Sequence, residues 1–188
     1  MVVYWIAAYI IGNFLTAWWI GKWKGIDLRQ QRSGNLGARN AGAVIGKTAF
    51  WLTFIGDALK AVFVIWLGQY LDFADSVIAL GGLAVICGHL FPIWLKGKGG
   101  KGIATFIGVS LYFTPELFAV MFIVFAVFFP FVKSATLTML FSLAAYIIAI
   151  FAFQEFENYW PLVTAIIFIL AKHRFDISES FNQRFSTH

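Results

Sequence analysis

The residues best suited to chemistry fall in Lys96-Gly97-Lys98-Gly99-Gly100-Lys101-Gly102, three lysines and four glycines in seven positions between two apolar stretches. Glycine lets the backbone come close to a ligand, so successive N–H groups can form a concave nest for an anion, with lysine charge at its rim. The run predicts amides free to point at one anion, and its place beside a membrane segment points to phosphate chemistry at the bilayer surface. The plainer reading is a basic turn that only sets topology. A second polar run, Ser33-Gly34-Asn35-Leu36-Gly37-Ala38-Arg39-Asn40-Ala41-Gly42, stands out in an otherwise oily chain. It reads either as a turn and helix cap, with Ser33 and Asn40 serving backbone groups, or as a second clamp for an anion or polyol.

Three further groups carry titratable chemistry. Asp57 and Lys60 are spaced i, i+3 and share a helix face. Ionisable groups inside a membrane helix are costly and face a protein interior or a polar cavity. Either the two pair with each other, or Asp57 orients Lys60 toward a polar pocket. His89 in Gly88-His89-Leu90-Phe91-Pro92 and His173 in His173-Arg174-Phe175-Asp176 lie near the ends of apolar segments; each reads either as a cap or interfacial residue or, since both fall on the cytoplasmic side, as part of a shared site. Two distant histidines without ligands at metal spacing do not make a closed metal site, so no metal or other cofactor is expected. Gly97-x-Gly99-x-x-Gly102 matches the dinucleotide fingerprint in letters only, since no strand precedes it. The nucleotide-binding Gly-x4-Gly-Lys-Ser/Thr, the His-x4-Asp dyad of acyl-CoA-dependent acyltransferases and the Gly-x-Ser-x-Gly elbow are absent.

These residues must be positioned by membrane helices. Hydrophobic residues make up 61% of the 188, aromatics 19% and charged residues 12%, against about 25% charged in a soluble domain. The chain reads as an all-α integral membrane protein with one domain over residues 1–188. The single cysteine, Cys87, excludes a disulfide framework and reads as a packing residue. Apolar stretches predict spans over Val2–Ile20, Thr48–Tyr70, Ser76–Leu95, Pro115–Val132 and Ser134–Phe153, with shorter ones over Ile103–Phe113 and Tyr159–Ala171. Lysine and arginine crowd the first loop, the 96–101 loop and the tail. Asp72, Asp75, Glu116, Glu155 and Glu157 mark turns without them. The positive-inside rule then puts the N-terminus outside and the C-terminus in the cytoplasm. Seven helices close this topology; five, with residues 103–132 re-entrant, is the alternative. The net charge of +5 is therefore a matter of topology and anionic lipid, and nucleic acid is not expected as a partner.

Ser33-Gly34-Asn35-x-Gly37-Ala38-x-Asn40, Gly56-Asp57-x-x-Lys60 and Gly88-His89-x-Phe91-Pro92, continuing through Lys98-Gly99-Gly100-Lys101-Gly102-x-Ala104-Thr105, resemble the PlsY family of bacterial membrane glycerol-3-phosphate acyltransferases. The resemblance covers essentially the whole chain. It implies a compact seven-helix protein of the bacterial inner membrane with its motifs on the cytoplasmic side. The implied reaction moves a fatty acyl group from acyl phosphate to the 1-hydroxyl of glycerol 3-phosphate, giving lysophosphatidic acid and inorganic phosphate for phospholipid synthesis. Ser33, His173 and Asp176 are then the catalytic candidates. Asn35, Arg39, Asn40, Lys60, His89, Lys98, Gly99, Gly100, Lys101, Gly102, Thr105 and Ser134 are the substrate and phosphate contacts. Membrane lipids are expected partners, and a contact with the enzyme that makes the acyl phosphate is a further expectation.

The chain departs from the family pattern at three places. Ala43 stands where the family usually has Arg, and Arg39 where it has Thr; four apart, the two positions share a helical face, so a guanidinium moved back one turn is expected to reach the same phosphate. Asp176 replaces an Asn and is expected to repel a phosphate. The family's following Arg-Leu-x-x-Gly-x-Glu is not recognisable in 178–188. A catalytically impaired paralogue that binds phosphate-bearing lipid precursors is the competing reading, and a small anion transporter a further one.

Overall fold

The computed structural model describes residues 1–153 and 156–185, so Glu155 lies outside the described residues. Within them the chain forms α1 (Val2–Gly12), α2 (Thr16–Trp23), α3 (Ala38–Ile45), α4 (Lys47–Tyr70), α5 (Asp75–Leu90), α6 (Ile103–Phe113), α7 (Pro115–Val132), α8 (Ala135–Phe153) and α9 (Phe156–Phe185). Short 3-10 turns cover Leu28–Gln30 and Ile93–Leu95, and no strand occurs among the described residues. Five segments are long and apolar enough to cross a bilayer: Val2–Trp23, Lys47–Tyr70, Asp75–Leu95, Pro115–Val132 and Ala135–Phe153. The chain is an all-helical integral membrane protein.

α5 is the hub, packed against α1, α4, α6 and α9. Two glycines let α1 and α5 cross backbone to backbone. A Cβ at Gly12 would sit 2.2 Å from the Val85 carbonyl oxygen, and one at Gly88 would sit 2.1 Å from that of Tyr9. Gly81 on α5 makes room for the Tyr4 ring. Tyr4 buries its hydroxyl against the Val64 carbonyl at 3.0 Å, tying α1 to α4.

Three elements differ from their sequence reading. The first apolar stretch is two helices, broken at Asn13–Leu15. Asn13 opens the break: its side-chain amide donates to the Tyr9 carbonyl, its Oδ1 accepts from Ile93 N–H at 2.8 Å, and its carbonyl accepts from the Trp94 indole at 3.1 Å. The third span runs to Leu95 as expected, but its α-helix stops at Leu90, because Pro92 cannot continue it and the chain turns through Ile93–Leu95. The last helix is no short terminal span but 30 residues long. Its polar half carries contacts from Lys172 and Asp176 to the glycine loop and from Arg184 to the last turn of α7, and tertiary contacts of this kind sustain a helix beyond its apolar stretch.

Candidate functional site

The glycine loop begins where α5 stops. Gly97 N–H donates to the Pro92 carbonyl, Lys98 N–H to Leu95, Gly99 N–H to Leu90 and Gly100 N–H to His89, all within 3.0–3.2 Å. The expectation that these amides are free for an anion is therefore corrected: the loop folds back on the end of α5, where His89 and Leu90, with Pro92 and Leu95 beyond them, supply the carbonyl acceptors. The donors left for an anion lie further on, in the first turn of α6, whose leading N–H groups have no intrahelical acceptor. Gly102 caps that helix with φ +87°, a left-handed conformation natural to glycine. Thr105, in the same first turn, is fully buried, and its Oγ1 has no hydrogen-bond partner among the described residues.

α9 clasps this loop from the side. Lys172 donates to the Gly97 carbonyl at 3.2 Å, and its ammonium lies 4.5 Å from the centre of the Phe91 ring. One turn on, Asp176 forms an ion pair with Lys101. The i, i+4 spacing puts both side chains on one helix face, so one turn of α9 holds the loop at its start and its end. Lys172 was read in the sequence only as a topological charge, and nothing in its neighbours marks it otherwise. Asp176, expected to repel a phosphate, instead neutralises the lysine that would bind one.

His173 lies between these two on α9, past the apolar stretch that ends at Ala171, and only 9% of it is exposed. Its Nδ1 is 2.9 Å from the Ile169 carbonyl, which can only accept. The proton of the neutral ring is thus on Nδ1, and Nε2 is left as a base. Burial pushes its pKa below the usual histidine value. The Ile169 carbonyl and Asp176 oppose that shift, and the cations Lys101 and Arg39 reinforce it. Arg39 therefore belongs to the same electrostatic neighbourhood. It sits with Ala43 on α3, both exposed, so the shared helical face expected for them exists.

The other candidates are distributed around this group. Ser33 and Lys98 are exposed, and no hydrogen bond or ion pair ties either to it among the described residues. Asn35 covers Gly37, where a Cβ would meet its Nδ2 at 2.8 Å. Asn40 acts as the capping reading expects, its amide donating to the Leu28 and Gln31 carbonyls, while its buried Oδ1 has no partner among the described residues. Ser134 caps α8, its Oγ accepting from Leu137 N–H at 3.4 Å. Lys60 faces inward. Its ammonium meets the carbonyls of Gly12 at 3.1 Å and Phe14 at 2.6 Å, Asp57 Oδ1 at 3.1 Å and His89 Nδ1 at 2.9 Å. Three protons shared by four protein acceptors leave none for a substrate. Both sequence readings of this pair hold in part: Asp57 and Lys60 form an ion pair, and the polar pocket Lys60 faces is the α1–α2 break, not the loop.

The chain is similar to a family profile, to sequence relatives and to solved structures. The glycerol-3-phosphate acyltransferase family profile matches residues 2–183. Glycerol-3-phosphate acyltransferase 1 of Bacillus cereus is 39% identical over 169 residues, covering 89% of this chain and 92% of its own. The glycerol-3-phosphate acyltransferase of Bacillus subtilis is 36% identical over 181 residues, covering 95% and 92%. Among solved structures, PlsY, an integral membrane glycerol 3-phosphate acyltransferase, superposes in its glycerol 3-phosphate form with a TM-score of 0.89 at 29% identity, over 97% of this chain and 92% of that one. Its lysophosphatidic acid form gives 0.84 at 27% identity. With a family match that runs nearly from end to end, the chain belongs to the glycerol-3-phosphate acyltransferase family.

Proposed function

We propose that this chain transfers a fatty acyl group from acyl phosphate to the 1-hydroxyl of glycerol 3-phosphate at the cytoplasmic face of a bacterial inner membrane. The observation that carries the reading is the Lys101–Asp176 ion pair beside the N-terminus of α6, with His173 within its electrostatic reach, in a chain of this family. Acyl phosphate is already an activated mixed anhydride, so no protein nucleophile is needed. The glycerol hydroxyl oxygen attacks the acyl carbon, the bond from that carbon to the phosphate oxygen breaks, and inorganic phosphate leaves. The hydroxyl proton passes to His173 Nε2 or to a substrate phosphate oxygen. Two phosphate-bearing anions meet in this step, and fixed cations offset their repulsion. Lys98, Lys101 and Arg39 supply the charge, with the α6 amides, Gly99, Gly100, Gly102 and Thr105 shaping the pocket for the leaving phosphate. Ser33, Asn35 and Asn40 bond substrate oxygens, with Ser134 adding a contact from the α7–α8 turn, and the acyl tail lies along apolar helix faces open to the bilayer. Seven crossings, with the N-terminus outside and the basic loops inside, put all of these on one side.

The test is phosphate release from palmitoyl phosphate by the purified protein in detergent, with and without glycerol 3-phosphate, and with palmitoyl-CoA as control donor. Release that depends on glycerol 3-phosphate, with the acyl phosphate alone as donor, is the expected result. Release of CoA thiol from palmitoyl-CoA that depends on glycerol 3-phosphate would overturn the donor assignment. Absence of any release from folded protein would favour a binding paralogue, with Ala43 and Asp176 responsible.

A further inference from the structure

We propose that Lys60 and His89 are positioning residues for the glycine loop, linked through His89 Nδ1, and that neither touches the substrate phosphate. The inference rests on the acyltransferase reading for its kinetic consequences, and on geometry for everything else. The His89 ring is buried beneath the loop, 2% exposed. A lysine ammonium only donates, so His89 Nδ1, 2.9 Å from Lys60 Nζ, is the acceptor and the ring proton sits on Nε2. The loop rests on the His89 backbone carbonyl, and the Nε2 edge fills the space beside Gly100. A Cβ at Gly100 would fall 2.1 Å from Nε2, and one at Gly99 would fall 2.0 Å from the His89 carbonyl oxygen, which itself accepts from Gly100 N–H. The ring's height is set from below. Lys60 is fixed by Asp57, which also accepts from the Thr16 hydroxyl at 3.2 Å, and by the two carbonyls exposed at the α1–α2 break. An unbroken line of contacts thus runs from the break in the first span through Lys60 and His89 to Gly100, and Lys101 is the next residue. A break in a membrane helix is tolerated only where other groups satisfy the freed carbonyls; here the satisfying lysine also seats the anion loop.

Two substitutions separate positioning from substrate contact. Asn offers an acceptor close to where Nδ1 stands, whereas Gln reaches the Nε2 position and loses the Nδ1 one. His89→Asn is expected to keep KM for palmitoyl phosphate within about threefold of the parent. His89→Gln is expected to raise it tenfold or more, with kcat changed far less. The opposite order would mean that Nε2 serves the substrate, and equal effects would mean that the Lys60 link does not set the loop; either overturns the proposal. Gly100→Ala is also expected to be at least fivefold less harmful in the His89→Asn background, where Nε2 is gone, and an equal penalty in both backgrounds overturns it too. Trypsin cleavage after Lys98, read by mass spectrometry on detergent-solubilised protein, reports loop seating without activity. Faster cleavage in His89→Gln than in the parent and His89→Asn is expected, and indistinguishable rates would refute the link. If the parent releases no phosphate, the acyltransferase reading fails, while the cleavage comparison still decides this one.

Discussion

At the scale of single residues, Asp176 is the position where sequence and structure meet most sharply. The sequence marks it as a carboxylate in the path of a phosphate; the structure adds that Lys101 is the group it holds. A phosphate then competes with Asp176 for the charge of Lys101. The pair is partly exposed, so the competition is worth about 1 kcal/mol, a factor of about five. Asp176→Asn is expected to lower KM for palmitoyl phosphate by that factor in steady-state assays, and an unchanged or higher KM would show that the carboxylate does not compete. The same substitution carries a pH signature. Burial keeps His173 neutral below the usual histidine value, so the acid limb of kcat/KM lies below about pH 6.5. Asp176 raises that pKa, and its removal shifts the acid limb to lower pH. A limb that stays in place, or moves up, would remove His173 as the group reporting it. The motif residues were legible because chemistry demands their types. Lys172 was not, since it looks like a topological charge.

At the scale of elements, hydropathy located the helices and missed what interrupts them. Thr48–Tyr70 and Ile103–Phe113 match α4 and α6 to within a residue, because bilayer-facing helices are long apolar runs bounded by charge or glycine. The break between α1 and α2 left only Gly12-Asn13 as a signal, two residues that a sliding window averages away. Its consequence appears only in three dimensions, where Lys60 reaches the carbonyls it frees. The extension of α9 was hidden for the opposite reason: its polar half is held by tertiary contacts, to which hydropathy is blind. The α1–α5 crossing makes the element scale testable. Gly12→Ala places a methyl 2.2 Å from the Val85 carbonyl oxygen and 2.9 Å from its carbon, both backbone atoms that cannot rotate away. The helices must separate, at about 1–3 kcal/mol. A lower thermal midpoint in detergent is the expected outcome, and an unchanged one would mean that the two helices do not meet this closely.

At the scale of the whole molecule, the open question in the proposed topology is how α6 crosses at all. Eleven residues span only about 16 Å, against a hydrocarbon core of about 30 Å. The contacts at its two ends supply the physical argument. Gly102 lies against Leu90, the last residue of α5, and Ile169, about half a turn inside the α9 apolar stretch that ends at Ala171, so the glycine loop reaches the edge of the bundle before α6 begins. At the other end the Phe113 ring lies 5.6 Å from that of Tyr159, whose hydroxyl bonds Asp75 at the start of α5. α6 therefore runs between the two ends of α5, and the loop shortens the distance it must cover. A loop at the edge of the bundle also brings the anion site toward the depth where an acyl chain's head would lie, so the short helix and the chemistry have one cause. Seven crossings then make Glu116, exposed at the α6–α7 turn, an external residue, whereas a re-entrant 103–132 segment never carries it across. In a Cys87→Ser background, Glu116→Cys is expected to react with a membrane-impermeant maleimide in right-side-out vesicles and to be protected in inverted ones. The seven-crossing topology gives way to the five-span alternative if labelling occurs only in inverted vesicles, or in neither while detergent exposes the thiol.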